Sequence, residues 1–463
     1  MRPDFGGSHT IVSLKALKDS GRLPALWLVR SLSVGYRIAS DCLKLDLSVL
    51  VSAGRDKTCL IDRDVDRDYY CKARRFQCPF FRNIFKTSIP SVTSFMDYNI
   101  LLEGARVEGF CPYYLEDLID VDITVQNYFR ARRKYYKVIV VDEVHNIFVP
   151  REIRFRVEDL NTIYTLIDLY LDRNAVKVFN RFMNAVRYAR TITVEEYFDK
   201  IMINDFKRLL YEHVDDIKIS KILGRFLRLL QYNTVLNVER EILVGYRPLL
   251  PFQTFRQTIF LTGTWFHAMD KFIPRRFNII NIDVRENMRP KAAIIDNLTT
   301  RYGEFDYKMI EEYKKFITKL KLKERDKRIL VFGSERVLQH IINLADLYEP
   351  QNIASNWSGI MMLKARGRYS EGVDIPADIV VILGCPFLPP EVISRLSKIY
   401  SRMGFEDSWS LAATIPMLIT TLQCIGRARR DPKQRPKIIL ADERYGKYVD
   451  ELSNYLNIGE IDV

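Results

Sequence analysis

The 463 residues, 48% of them hydrophobic, exceed what one core holds and call for about two to four domains. A formal charge of +13, from 71 Lys and Arg against 58 Asp and Glu, fits a polyanionic partner. No stretch has the length and apolarity of a membrane span, and the amino terminus lacks a signal peptide's apolar core, so a cytoplasmic protein without membrane contact is expected. In that compartment seven cysteines point to metal or catalysis rather than disulfides.

In chain order, residues 24–30 and 45–51 read as short buried strands, the second followed by the turn Ser52-Ala53-Gly54-Arg55. From 56 to 111 the pattern turns irregular and carries four cysteines among many aromatic and basic residues. Strand pattern returns at 121–125 and 137–141. Val138-Ile139-Val140-Val141 is an unbroken β-branched run, as in strands buried on both faces of a parallel sheet. Asp142-Glu143-Val144-His145 follows, placing two adjacent acids at the strand's carboxyl end, where ligands sit in open α/β folds. In nucleoside triphosphatases the first acid there holds the magnesium shell and the second orients the attacking water.

Between Pro150 and Pro248 there is no proline and almost no glycine, and apolar residues recur at helical spacing, as in Ile201-Met202-Ile203-Asn204-Asp205-Phe206. Thr193 with Glu196 has the spacing of a capping box at a helix start. Residues 151–237 therefore read as an inserted helical domain. Another strand at 258–261 ends in Thr262-Gly263-Thr264, and beyond a loop at 285–291 a second α/β unit has strands at 329–332, 379–383 and 437–440.

That second unit holds Gly372-Val373-Asp374-Ile375-Pro376, with a G-x-D-x-P core: the glycine lets backbone approach a ligand, and the aspartate can bond a ribose hydroxyl. Downstream, Gln423-Cys424-Ile425-Gly426-Arg427-Ala428-Arg429-Arg430 has the Q-x-x-G-R-x-x-R spacing of helicase motors. Arg427 and Arg430 lie one helical turn apart, fit to neutralise charge building on a γ-phosphate. Cys59, Cys71, Cys78 and Cys111 follow a C-x11-C-x6-C-x32-C spacing. Four thiolates can ligate zinc or an iron–sulfur cluster. The tight C-x-x-C knuckles of zinc ribbons are absent, which favours the cluster. Cys42, Cys385 and Cys424 read as small buried hydrophobes.

With these motifs in order, the chain resembles the XPD/DinG group of superfamily 2 DNA helicases across nearly its full length. The resemblance rests on Gly54-Arg55 leading into Cys59, Phe110-Cys111-Pro112-Tyr113, and the Asp142-Glu143-Val144-His145 box. It continues through Leu261-Thr262-Gly263-Thr264, Arg366-Gly367 with Ser370-Glu371-Gly372, 423–430, and Asp442-Glu443-Arg444-Tyr445. It implies an α/β fold of two RecA-like motor domains, with an inserted [4Fe-4S] domain and an inserted helical arch enclosing a pore for single-stranded DNA. The expected divisions are 1–55, 112–150 and 238–285 for the first motor domain, 56–111 for the cluster domain, 151–237 for the arch and 286–463 for the second motor domain. Asp142, Glu143, His145, Gln423, Arg427 and Arg430 would be catalytic. Gly372 and Asp374 would touch ATP, and the four cysteines would hold the cluster.

The chain departs from the family at the phosphate-binding loop. The matching stretch is Phe5-Gly6-Gly7-Ser8-His9-Thr10, where the family has T-G-x-G-K-T. Ser8 replaces a glycine and His9 the lysine that reaches the β- and γ-phosphates. Thr10 remains to hold Mg2+ with Asp142, while Gly6, Gly7, Ser8 and His9 would line the phosphates. Only Met1 to Asp4 precede the loop, so the motor domain's first strand is expected to be missing. Basic and aromatic residues interleave at Phe80-Phe81-Arg82, across 128–136 and at 225–228. Each such cluster by itself reads first as a solvated basic face over a core aromatic, while together around the expected pore their rings can stack on bases and their cations track phosphates. Arg30, Arg132, Arg133 and Tyr135 are the candidate DNA contacts. Two readings follow. One is a monomeric ATP-dependent 5′-to-3′ helicase or translocase on single-stranded or forked DNA, working with repair or defence proteins. The other is a helicase relic with little ATPase activity that binds single-stranded DNA or serves as a scaffold.

Overall fold

The computed structural model describes residues 8–130, 135–148, 151–232, 235–247, 257–273, 277–280, 289–354, 356–370, 374–402, 404–428 and 435–460. The chain divides into two compact units: Ser13–Leu261, and Thr262–Val463 joined by the start of the chain up to Val12.

The first unit is built on strands β1 (Ala25–Val29), β2 (Val49–Val51), β3 (Phe95–Asp97), β4 (Ile123–Asn127), β5 (Val138–Val141) and β10 (Thr258–Phe260). They form one six-stranded sheet in the order β10-β5-β1-β4-β2-β3, every neighbour parallel. Every residue of β1 and β5 is buried, as the β-branched run predicts for strands covered on both faces. Helix α1 (Ser8–Asp19) lends Leu14 and Leu17 to this core, and α2 (Leu32–Leu43) lends Ile38, Ala39 and Cys42. Gly35 lets α2 lie against the sheet, since a Cβ there would stand 3.1 Å from Val125.

Between β2 and β4 run the short helices α3 (Arg55–Thr58), α4 (Arg67–Arg74), α5 (Pro79–Asn83), α6 (Tyr98–Glu108) and α7 (Pro112–Leu115). Their own small core joins Leu50, Ile84, Leu101, Phe110, Leu115 and Ile119.

Between β5 and β10 lie β6 (Arg151–Arg156), α8 (Leu160–Tyr170), α9 (Arg173–Tyr188), β7 (Thr191–Thr193), α10 (Lys200–Glu212), α11 (Ile217–Tyr232), β8 (Val235–Glu239) and β9 (Ile242–Arg247). The helices follow from the apolar spacing. The four-stranded antiparallel sheet β6-β9-β8-β7 does not, because its end strands come from distant parts of the segment. Phe155, Phe179, Phe182, Phe198, Phe206 and Phe226 meet in one fully or nearly fully buried aromatic cluster. Each such ring contributes about 1.5–3 kcal/mol by leaving water. The expected capping box at Thr193 is absent: Thr193 closes β7 and its side chain caps nothing. The helix starts later, at α10, where Asp199 accepts from the N–H of Met202 at 2.8 Å.

The second unit carries β11 (Lys291–Ile294), β12 (Arg328–Gly333), β13 (Leu347–Tyr348), β14 (Gly359–Lys364), β15 (Ile379–Leu383), β16 (Lys437–Ala441) and β17 (Asn457–Ile458). Their order is β13-β14-β12-β15-β16-β11-β17, again all parallel. Helix α12 (Tyr307–Lys323) packs Tyr313, Ile317 and Leu320 into the core beside the short α13 (Glu335–Leu338). After α14 (Pro390–Arg402), α15 (Ile415–Gly426) is buried along almost its whole length.

Candidate functional site

Asp142 begins where β5 ends. Its N–H still donates to the Leu28 carbonyl at 3.0 Å, and its side chain is buried, with Oδ1 accepting from the Glu143 N–H at 3.1 Å. Glu143 then adopts φ +49°, a left-handed conformation that costs energy in a residue with a Cβ. From this kink Glu143 Oε2 comes to 3.4 Å from Nδ1 of buried His145. Tyr128, at the end of β4, donates its hydroxyl to the backbone carbonyls of Asp142 and Glu143, the latter at 3.2 Å. Burial, reinforced by both acids, pushes the Tyr128 hydroxyl well above its ordinary pKa, so it remains a donor. Two strands of one parallel sheet thus end in an acid pair and the ring that braces it.

Within the basic and aromatic run 128–136, Tyr128 is thus a core aromatic and not a ring open to a base. Arg130 is buried against Glu116 and Ser52, and Phe226 is buried in the aromatic cluster. Tyr135 is 78% exposed, as a DNA contact requires. Arg30 is also exposed and donates to Asn146 Oδ1 at 3.0 Å, one residue past His145. Arg132 and Arg133 lie outside the described residues.

At the amino-terminal loop, Gly6, Gly7 and the side chains of Ser8 and His9 lie outside the described residues. Thr10 is buried within α1, so a helix follows the loop, as phosphate-binding loops need.

The second unit brings its own motifs together. Gln423 and Cys424 sit at the end of α15, and Arg427 donates from Nε to the Gln423 carbonyl at 3.3 Å. The Arg427 carbonyl accepts from the Ile375 N–H at 2.9 Å, which ties exposed Asp374 to the arginine turn. Gly372 and Arg430 lie outside the described residues. Arg366 clamps the carbonyls of Pro386 and Pro416 at 3.0 and 3.1 Å. Behind them buried Asp442 takes bonds from Thr300 and Arg444. Burial works against its charge, yet Arg444 holds its carboxyl below the usual range.

The cysteine segment forms the second candidate centre. Cys59, Cys71, Cys78 and Cys111 are partly exposed thiols, whereas Cys42, Cys385 and Cys424 are buried, as expected. Burial raises Cys59 and pushes Cys111 up to about 12, and Cys111 also feels the charges of Cys71, Cys59 and Cys78. Among the described residues no group of three or more His, Cys, Asp or Glu is set for a single metal ion. Cys71 Sγ lies 3.6 Å from the Tyr114 hydroxyl, to which Arg55 also reaches at 3.3 Å. Arg55 stacks 4.2 Å from the Tyr113 ring and pairs with Asp68 at 2.6 Å. Sequence reasoning noted Arg55 only as a motif letter. Its place over the tyrosines becomes visible once α3 and α7 are seen to pack.

Residues 306–458 match the family described as "Helicase C-terminal domain". Along 95% of its length the chain is 21% identical to the "ATP-dependent DNA helicase XPD" of Sulfolobus acidocaldarius, covering 91% of that protein. Among solved structures, one titled "XPD_Helicase" aligns over 99% of this chain and 95% of its own at 21% identity, with a TM-score of 0.64. The S. tokodaii Xpd4 structure aligns over 98% and 94% at 16% identity, with a TM-score of 0.58. No helix among the described residues is long and apolar enough to cross a membrane. The chain is thus similar over nearly its whole length to the XPD helicase of Sulfolobus acidocaldarius and shares the α/β fold of the solved XPD structures.

Proposed function

We propose that the chain is an ATP-dependent DNA helicase or translocase of the XPD type, moving 5′ to 3′ on single-stranded or forked DNA. One observation carries this reading: Asp142 and Glu143 follow a fully buried parallel strand, Glu143 in a left-handed conformation, and Tyr128 braces their backbone. A spent motor has no need to retain that strained pair. Asp142 and Thr10 offer oxygen ligands of the kind Mg2+ prefers. Bound Mg2+ would neutralise charge on the β- and γ-phosphates. Glu143 orients and deprotonates the attacking water, with His145 holding its carboxylate. Arg427 and Arg430 supply positive charge for the γ-phosphate, and Gln423 and Asp374 complete the nucleotide contacts.

Cys59, Cys71, Cys78 and Cys111 would hold a [4Fe-4S] cluster. What supports this is their C-x11-C-x6-C-x32-C spacing and their place, all partly exposed, in the segment between β2 and β4, since a cluster takes one thiolate per iron. The cluster supplies a covalent pin for a segment of short helices. The insertion of the cluster segment and the helical arch in the first motor domain belongs to this reading, with the arch running through β9 (Ile242–Arg247) and not ending at 237, because β9 pairs with β6 and β8.

A second reading keeps its standing because of His9: without the loop lysine the chain would be a DNA-binding relic. A phosphate-release assay with and without single-stranded DNA separates the two. The motor reading expects DNA-stimulated hydrolysis that falls about a hundredfold or more in Glu143→Gln. Wild-type turnover no faster than that of Glu143→Gln would leave the relic reading.

A further inference from the structure

Helix α4 faces two ways. Asp66, which caps it, and Tyr69 lie three residues apart on one face, while Asp68 and Cys71 lie three apart on the opposite one. The Asp68 and Cys71 face turns to Arg55 and Tyr114. The Asp66 and Tyr69 face turns to α11. Tyr69 is 4% exposed and forms part of the aromatic core of the helical insertion, though it comes from the cysteine segment. Asp66, almost fully buried, pairs with Arg228 of α11, whose guanidinium also lies 5.6 Å from the Tyr69 ring. Gly224 of α11 leaves no room at the seam: a Cβ there would meet Asp66 Oδ2 at 2.8 Å and Tyr69 Cδ2 at 3.2 Å. Lys221 with Asp64, and Arg63 and Arg74 with Asp215, fasten the two ends.

We infer that Tyr69, Asp66 and Arg228 are positioning residues that transmit the state of the four-thiol site to the helical insertion, with α4 as a rigid strut. The physical reason is that a helix of two turns cannot shift one face and leave the other in place. A core packed around Tyr69 tolerates little displacement. When the thiols lose their metal, α4 loses its anchor at Cys71. Tyr69 then withdraws from the core, and the Asp66–Arg228 pair is pulled apart. Helix α11 is thereby better protected against local opening while the cysteine site is filled. This inference rests on the cluster reading above.

Hydrogen exchange on the full chain, as purified and after chelation of its iron, tests it. Iron removal is expected to speed exchange in α11 about tenfold or more, beyond any change in residues 55–111. Tyr69→Ala should retain iron yet exchange in α11 like the stripped protein, and Tyr69→Phe should restore protection. If Tyr69→Ala does not fold, Gly224→Ala opens the same seam without touching a thiol and should have the same effect. Iron-loaded protein whose α11 stays protected after stripping overturns the coupling alone. Protein that carries no iron overturns the cluster reading and the coupling with it.

Discussion

In the second unit the sheet is laid down almost continuously: β12, β13, β14, β15 and β16 fall between 328 and 441 with only helices and loops between them. In the first unit β5 and β10 are sheet neighbours, although four helices and a four-stranded antiparallel sheet lie between them in the chain. The difference shows in what each unit reveals. The continuous one is matched as a helicase domain over 306–458, because consecutive βα units keep their motifs at fixed spacing. The interrupted one carries the acid pair and the four thiols, and its stability rests on cores that the insertions bring with them.

The largest expected effect tests whether the helical insertion has a core of its own. Phe226→Ala, fully buried among five other phenylalanines, should cost about 3–5 kcal/mol. Urea unfolding followed by hydrogen exchange should assign that loss to 151–247 and leave β11–β17 untouched. Equal loss in both units would mean that the chain unfolds as one body.

Next comes the loop. Ser8→Gly with His9→Lys should raise DNA-stimulated hydrolysis about tenfold or more, which is about 1.4 kcal/mol of barrier. Glu143→Gln in that background should remove the gain. No gain, in folded protein, would place the defect beyond the missing lysine.

Acid should separate the units too. The Asp442 carboxyl in the second unit sits below the ordinary range because Arg444 outweighs burial. Its contribution is therefore fully present above the unfolded value of about 3.9 and is lost as pH falls through the lower folded value. Asp442→Asn should be less stable at neutral pH and show a flatter stability profile below about pH 4. A mutant profile as steep as wild type would assign acid sensitivity to other carboxylates.

The smallest effect concerns DNA. Arg132→Ala with Arg133→Ala should weaken single-strand binding and lower the salt slope by about one for each phosphate that an arginine had neutralised. An unchanged slope would leave these arginines merely solvated.

Much of this was legible in the chain. The β-branched run of β5, the acids behind it, the arginine turn and the four cysteine positions are local patterns, and local patterns survive in sequence because strand burial and motif spacing act over a few residues. The parallel sheets and the helices of 151–237 follow from the same periodicities. What sequence could not supply were partnerships between distant segments: Tyr128 under Asp142 and Glu143, Arg130 on Glu116, Asp199 rather than Thr193 as a cap, and Tyr69 inside a core formed by residues 155–243. An aromatic or an arginine reads the same whether it faces solvent or a neighbour a hundred residues away. Only the folded chain, where burial and hydrogen bonding choose the partner, decides which.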